Sequence, residues 1–271
     1  MNDRPRNATA GSDVLPAFWQ LSGLTEEQTD WARFSARRFP SILSFWRPEG
    51  SLEGRRILDL GGGIGSLAVL MKAQLGGRYC LADRIEWTPA QHEALRRFGV
   101  EATLPVDLSR PGALGSLPTD FDIVLFVEVL EHLLVNPLLL FREIYDHLTP
   151  DGRLFLTTPN QARLGNRLRL VRGRSIKERG RFPTDGTGGY GHVMEYTADE
   201  LRTLLTSESF LRERSCVVQH DPSPAPSALQ HFGTRVLNWR PAQRWSLGDD
   251  LLLLYRKAPR PPPGTPRPWR V

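Results

Sequence analysis

The chain has 271 residues, of which 40% are apolar and 24% charged, and its formal net charge is +5 at pH 7. These values are ordinary for a globular domain and exclude a collagen-like, disordered or disulfide-stapled chain. Cys80 and Cys216 have neither CxxC spacing nor a nearby His cluster, so the sequence predicts no metal site and no disulfide framework. With no signal-peptide pattern and no run of 18 apolar residues, we expect a cytoplasmic protein.

The N-terminal part is predicted to consist of a disordered lead, residues 1–15, and a helical cover, residues 16–50. Between Thr25 and Trp46, apolar and aromatic residues recur at helical intervals. Pro40 interrupts this run, because proline cannot continue a helix without loss of a hydrogen bond. We therefore expect two short helices ahead of the core.

Residues 51–160 alternate between short apolar runs and helical segments. RRILDL, RYCLAD, VEATLPVD, FDIVLFVEV and GRLFLTTPN have the composition of strands, and the segments between most of them have helical periodicity. This alternation indicates βαβ units. It predicts an α/β fold, a doubly wound, mostly parallel seven-stranded sheet with helices on both faces. The helix before GRLFLTTPN is predicted to end in LTPDG, at Pro150 and Gly152.

The alternation is interrupted at residues 161–191, which are rich in Arg and Gly, and which we interpret as a basic lid insertion. Residues 192–258 return to the core pattern and supply the last two strands. Their helix begins at Thr197, and Glu200 three residues later completes a capping box. Residues 259–271 are predicted to be a stiff, solvated Pro-rich tail.

The stretch ILDLGGGIGS, residues 57–66, joins a strand to a helix through four glycines. In open parallel sheets such a turn binds anionic or nucleotide ligands, because backbone N–H groups and a helix N-terminus point outward there. Gly63, Gly65 and Ala68 also satisfy G-x-G-x-x-G/A, and Asp83 lies 20 residues after Gly63, as in dinucleotide-binding folds. A nicotinamide or flavin cofactor is therefore one interpretation.

Acidic residues at the strand ends argue against a pyrophosphate. Asp59 lies two residues before Gly61, Asp107 ends LPVD, and VEVLEHL places further acids after the fourth strand. A carboxylate stabilises a cationic group and disfavours an anionic one. The pattern suits a molecule with a sulfonium, an α-amino group, a ribose diol and an adenine amine.

These motifs, in the order ILDLGGGIG, LADRIEW, LPVD and FDIVLFVEVLEHL, resemble the class I S-adenosylmethionine-dependent methyltransferases over roughly residues 50–160. GHVMEYTADELRTLL is similar to a segment that follows the lid in members that methylate small molecules. The resemblance implies S-adenosyl-L-methionine as the cofactor. It assigns Asp59, Gly61, Gly63 and Gly65 to its methionine part, Asp83 to the ribose hydroxyls, Asp107 and Leu108 to the adenine, and Val127 and Glu128 to the surroundings of the methyl and amino acid groups.

A hydroxyl acceptor must lose a proton, and His132 and His192 are the candidate catalytic bases, since imidazole titrates near neutrality. His132 is equally compatible with a structural role at a helix start, and His192 with a role in bracing the lid.

Methyl transfer to a hydroxyl of a small molecule, such as a sugar, a lipid-linked compound or a natural product, is the leading hypothesis. An RNA methyltransferase and a non-catalytic S-adenosylmethionine-binding scaffold are the alternatives. A NAD-dependent oxidoreductase is disfavoured, because no Tyr-x-x-x-Lys pattern is found. The Arg-rich run 163–181 is compatible with a solvated face, with peripheral contact to an anionic membrane, or with binding of a phosphorylated acceptor. The oligomeric state is left open.

Overall fold

The computed structural model describes residues 14–177, 191–220, 228–238 and 245–260. Within these ranges the chain forms helices and strands in the following order. The elements are α1 (Val14–Leu21), α2 (Glu26–Ala36), α3 (Phe39–Trp46), β1 (Arg56–Leu60), α4 (Ser66–Leu75), β2 (Arg78–Asp83), α5 (Pro89–Arg97), β3 (Val100–Pro105), β4 (Phe121–Val127), α6 (Pro137–His147), β5 (Leu148–Pro159), α7 (Leu164–Val171), α8 (Ala198–Ser207), β6 (Phe210–Val218), α9 (Ala228–Leu237) and β7 (Asp250–Lys257).

The strands belong to a seven-stranded sheet of order β3-β2-β1-β4-β5-β7-β6. Strand β2 runs parallel to β1 and to β3, and β4 runs parallel to β5. Strand β7 is antiparallel to both β5 and β6. The predicted α/β class with a mostly parallel seven-stranded sheet is confirmed.

The chain divides into two compact units, and the first comprises Met1–Asp107. Its core contains the buried apolar residues of β1 and β2. Helix α1 contacts α4 and α5, with Phe18 edge-on to Phe98 and the Trp19 indole donating to Ser66 Oγ at 2.9 Å. A capping box at Thr25 starts α2, and Pro40 lies in the first turn of α3, as expected. The covering role of these helices stays a prediction.

The second unit, Leu108–Val271, contains β4 to β7. Strand β7, DLLLLYRK, is buried over most of its length, which is typical of a strand covered on both faces. Residues Val127 and Thr157 are partners across β4 and β5. This register places the residues that follow β4 next to the polar carboxyl end of β5.

The boundary between α6 and β5 differs from the prediction. Asn136 caps α6 and Pro137 is its first residue. It ends at His147, and β5 starts directly at Leu148. Pro150 and Gly152 therefore lie within the strand instead of stopping the helix. The register shift between β4 and β5 accommodates this turn-like sequence.

Part of the predicted lid forms α7, while residues 178–190 lie outside the described residues, so the role of the segment as a lid stays a prediction. Residues 1–13 of the predicted lead and 261–271 of the predicted tail also lie outside them. Helix α1 begins at Val14, within the last two residues of that lead. Among the described helices, none has the length and apolar character needed to cross a membrane.

Candidate functional site

The glycine-rich turn after β1 depends on glycine for two different reasons. Gly61, Gly63 and Gly65 have φ values of 78°, 58° and 87°, a region that side chains with a Cβ rarely adopt. Gly62 is required for space, because a Cβ there would lie 2.3 Å from Leu81 Cδ1 and 2.6 Å from the Asp59 carboxyl carbon. The sequence analysis assigned Gly61, Gly63 and Gly65 to the site and missed Gly62.

Asp83 at the end of β2 holds this turn in place. Its Oδ2 accepts the Gly63 N–H at 2.8 Å, and its Oδ1 accepts the Ile85 N–H at 3.1 Å. The Trp87 indole donates to the Gly63 carbonyl at 3.1 Å. Because each carboxylate oxygen can accept more than one hydrogen bond, the Asp83 carboxylate retains acceptor capacity for two hydroxyls.

Asp59 is an ionisable side chain buried beneath the turn, with 1% of its surface exposed. Its Oδ2 has no hydrogen-bond partner among the described residues. Burial, and secondarily the charge of Asp83, raises the pKa of Asp59 to about 7. A buried acceptor without a partner suits a cationic ligand group, which would stabilise the ionised form.

The raised pKa of Asp59 predicts a specific dependence of stability on pH. Its ordinary value is 3.8, so between that pH and about 7 the unfolded chain releases a proton that the folded chain retains. The free energy of unfolding therefore falls as the pH rises through this window. Between pH 5 and pH 8, we expect the free energy of unfolding of the cofactor-free protein to fall by about 3 kcal/mol more than that of the Asp59→Asn variant. Urea unfolding at both pH values measures this difference, and equal losses in the two proteins would contradict it.

Asp107 and Leu108, the predicted adenine contacts, follow β3. Asp107 is half-buried and is the last residue of the first unit. Leu108 is buried and is the first residue of the second unit. The preceding Val106 donates its N–H to the Asp83 carbonyl at 2.8 Å, which continues the pairing of β3 with β2 beyond the strand end.

Within the second unit, Val127 ends β4 and Glu128 follows it with a φ of 55°. A non-glycine residue in this left-handed region costs energy, and such residues cluster at functional sites. Two hydrogen bonds to Thr157 hold Glu128 there. Its N–H donates to the Thr157 carbonyl at 3.0 Å, and its Oε1 accepts from Thr157 Oγ1 at 2.8 Å.

Glu131 is a residue of this site that was noted in the sequence but not assigned to it. Its side chain is fully buried, Oε2 accepts from Thr158 Oγ1 at 2.9 Å, and Oε1 has no hydrogen-bond partner among the described residues. Burial, reinforced by the negative charge of Glu128, raises the pKa of Glu131 well above its ordinary value. The VEVLEHL pattern showed an acid here, but only the three-dimensional structure shows its burial.

The two candidate histidines lie together. The rings of His132 and His192 stand edge-on with their centroids 5.1 Å apart. His132 Nδ1 lies 3.3 Å from the Gly191 carbonyl, and His192 Nδ1 lies 3.1 Å from Glu195 Oε1. Two residues separated by 60 positions in the chain thus form a pair.

Glu131 joins this pair. Each of Glu131, His132 and His192 offers a nitrogen or carboxylate oxygen, and these atoms lie within 4.8 Å of one another. A carboxylate with two imidazoles is a donor set that can bind either a proton or a transition-metal ion. The sequence-based expectation that no metal is bound stays a prediction, which a chelator tests.

The structure therefore brings the predicted residues together in two sets. Asp59, the glycines of the turn and Asp83 form one set within the first unit. Glu128, His132 and His192 belong to another within the second, together with Glu131 and Glu195, which the sequence did not assign.

A family model described as a methyltransferase domain matches residues 29–211, which is more than half of the chain. The chain belongs to this methyltransferase-domain family. The resemblance to class I S-adenosylmethionine-dependent methyltransferases is thereby confirmed.

The curated relatives of this chain include two proteins that carry the name ubiquinone biosynthesis O-methyltransferase. The protein from Xanthomonas campestris pv. campestris (strain B100) is 33% identical over 125 residues, which are 45% of this chain and 50% of that protein. The protein from Chelativorans sp. (strain BNC1) is 29% identical over 172 residues, which are 63% of this chain and 64% of that protein. The chain thus spans about half the length of the first relative and under two thirds of the second.

Solved structures share the fold at low identity. The magnesium protoporphyrin IX methyltransferase from Synechocystis PCC 6803, solved with bound S-adenosylhomocysteine, is 18% identical with a TM-score of 0.52, over 92% of this chain and 95% of that one. The 1,6-didemethyltoxoflavin-N1-methyltransferase from Burkholderia thailandensis is 19% identical with a TM-score of 0.51, over 95% of this chain and 94% of that one. These two likenesses show a shared fold.

Proposed function

We propose that this protein transfers a methyl group from S-adenosylmethionine to a hydroxyl of a small molecule. The observation that carries the choice of a hydroxyl is the pair of imidazoles, His132 and His192, beside the buried Glu131. A hydroxyl is a weak nucleophile until its proton is removed, and imidazole is suited to that task at neutral pH. The relatives named as O-methyltransferases point to the same class of acceptor.

The first set of residues fits the cofactor. Asp59 Oδ2 is a buried acceptor with no partner among the described residues, which suits a cationic group, and Asp83 keeps lone pairs available for the ribose hydroxyls. Gly61, Gly63 and Gly65 would allow the backbone to approach the methionine part closely. When bound, the cofactor would supply an electrophilic methyl group on a sulfonium; the acceptor oxygen would form a bond to the methyl carbon as the carbon–sulfur bond breaks, and S-adenosylhomocysteine would leave.

The second set, except for Glu128, fits the acceptor side. Glu128, fixed by two hydrogen bonds to Thr157, would border the amino acid part of the cofactor. His192 would accept the hydroxyl proton, and His132 would orient either the acceptor or the imidazole ring of His192. Because the electrophile is already activated, alignment of the acceptor and removal of its proton are the main contributions expected of the protein.

Binding and turnover test this proposal separately. Isothermal titration of the purified protein with S-adenosylmethionine, S-adenosylhomocysteine and NAD is expected to give binding of the two adenosyl compounds and none of NAD. The protein is then incubated with methyl-labelled S-adenosylmethionine and with catechols, sugars or lipid-linked phenols. We expect at least one of these acceptor classes to yield a labelled methyl ether. Binding of NAD alone would overturn the cofactor assignment.

The alternatives give distinct outcomes of the same assay. Label transferred only to RNA, with strong dependence on salt concentration, would favour the RNA methyltransferase. Binding without transfer to any acceptor class would favour the non-catalytic scaffold. Contact with an anionic membrane through 163–181 remains a further proposal. It is supported by exposed Leu168 and Val171 beside the arginines of α7.

A further inference from the structure

Glu195 is a mostly buried acid whose two carboxylate oxygens bind different partners. Its Oε1 lies 3.1 Å from His192 Nδ1, and its Oε2 lies 2.6 Å from Arg163 Nη1. The side chain of Glu195 is 10% exposed and that of Arg163 21% exposed, so this ion pair is largely shielded from solvent. Arg163, Glu195 and His192 are thus linked in one chain of hydrogen bonds.

Arg163 keeps the carboxylate in place and in its ionised form. Its Nη1 also donates to the Asn160 carbonyl at 3.2 Å, which fixes the guanidinium at the start of α7. Burial by itself would raise the pKa of Glu195, but the hydrogen bonds from His192 and Arg163 outweigh it, and the pKa is lowered. The first arginine of the Arg-rich run therefore has an interior role.

An ionised carboxylate accepts hydrogen bonds and cannot donate them. Nδ1 of His192 must therefore carry a proton to make the bond to Glu195. In the neutral ring the lone pair is then on Nε2, the nitrogen that remains to take a proton from an acceptor. Catalytic imidazoles in unrelated enzymes are oriented in this way by a carboxylate.

We propose that Glu195 is a positioning residue that selects the Nδ1–H tautomer of His192 and fixes the orientation of its ring. The expected effect on methyl transfer rests on the proposed function, in which His192 removes the acceptor proton. The expected effect on the tautomer does not, because it follows from the hydrogen bond alone.

The test compares Glu195→Gln with a matched buried acid in the same unit. Glu208 is 2% exposed and is bound by Arg142 through two contacts of 2.9 and 3.1 Å, so Glu208→Gln also removes a buried acid from an ion pair with an arginine, although Arg142 itself is 42% exposed. Two-bond ¹H–¹⁵N spectra of the ¹⁵N-histidine-labelled protein report which nitrogen of His192 carries the proton. The His192 signals are assigned by their loss in His192→Gln.

In the unaltered protein and in Glu208→Gln, we expect His192 to be protonated on Nδ1. In Glu195→Gln the carboxamide can donate to Nδ1, and we expect a mixture of tautomers or the Nε2–H form. We also expect kcat to fall by about 10-fold or more while KM for S-adenosylmethionine stays unchanged. Glu195→Asp, which restores the charge, is expected to recover part of the loss.

An unchanged tautomer and an unchanged kcat in Glu195→Gln would overturn the proposal, as would equal losses of kcat in Glu195→Gln and Glu208→Gln. If Glu195→Gln does not fold, the spectrum of the unaltered protein tests the same link, and a neutral His192 ring protonated on Nε2 would then overturn the proposal. If no acceptor is methylated by the unaltered protein, the proposed function fails, while the spectra still decide the role of Glu195.

Discussion

The Asp83→Ala variant is expected to bind S-adenosylmethionine at least about 100-fold more weakly than the unaltered protein. A hydrogen bond to a charged group contributes about 1.5 to 3 kcal/mol, and the carboxylate is assigned two ribose hydroxyls. The substitution also removes the acceptor of the Gly63 and Ile85 N–H groups, so the glycine turn loses a support. Isothermal titration with S-adenosylmethionine and S-adenosylhomocysteine measures the loss for both compounds.

Asp30→Ala is the matched control, because Asp30 is an exposed acid on α2 whose removal changes the net charge equally. Its affinity for both compounds is expected to equal that of the unaltered protein. Circular dichroism checks that Asp83→Ala keeps the fold. The thermal unfolding midpoint of this variant is expected to fall, because two backbone donors lose their partner. An affinity unchanged by Asp83→Ala would mean that the ribose contact has been assigned to the wrong residue.

The glycine-rich turn after β1 could be predicted from the sequence because its constraints are local. Positive φ values at Gly61, Gly63 and Gly65 exclude most other residues, so the requirement leaves a direct trace in the sequence. The position of Asp83 was predictable for a similar reason. It lies 20 residues after Gly63, at the end of the next strand, and this spacing is part of the same motif. The same holds for the capping boxes at Thr25 and Thr197, whose partners lie three residues away.

The residues that the sequence did not assign depend on contacts between distant segments. Glu195 follows His192 by three positions, but its ion-pair partner Arg163 lies 32 residues earlier in the chain. Glu131 lies in the same motif as His132, and nothing in that motif distinguishes a buried acid from an exposed one. The left-handed φ of Glu128 likewise depends on Thr157 of the neighbouring strand.

Local signals also conflicted at one element boundary. Pro150 and Gly152 normally mark a turn, and here they lie within β5 beside Asp151, which has a φ of 56°. Leu148 pairs with Phe121 and Arg153 with Ile123, so residues 149–152 stand opposite a single residue of β4, and the turn-forming residues lie in this irregularity of the strand. The strand therefore starts where the helix ends, without a separate loop.

The His192→Ala variant is expected to lose about 10² to 10⁴-fold in kcat, the usual contribution of general-base catalysis. Its Kd for S-adenosylmethionine is expected to stay within about twofold, because His192 is assigned to the acceptor and not to the cofactor. Steady-state methyl transfer with the acceptor class identified in the screen, together with isothermal titration, measures both quantities. His92→Ala is the control, since His92 is an exposed residue of α5 whose ring contacts Thr103.

The same assay, run with and without a chelator, separates two ways in which the imidazoles can act. If His192 removes the proton itself, the unaltered enzyme keeps its activity in the chelator, and His192→Ala remains slow when divalent cations are added. Loss of activity in the chelator with recovery on addition of a divalent cation would instead mean that Glu131, His132 and His192 act through a metal ion. That outcome would contradict both the base role of His192 and the expectation of a metal-free site.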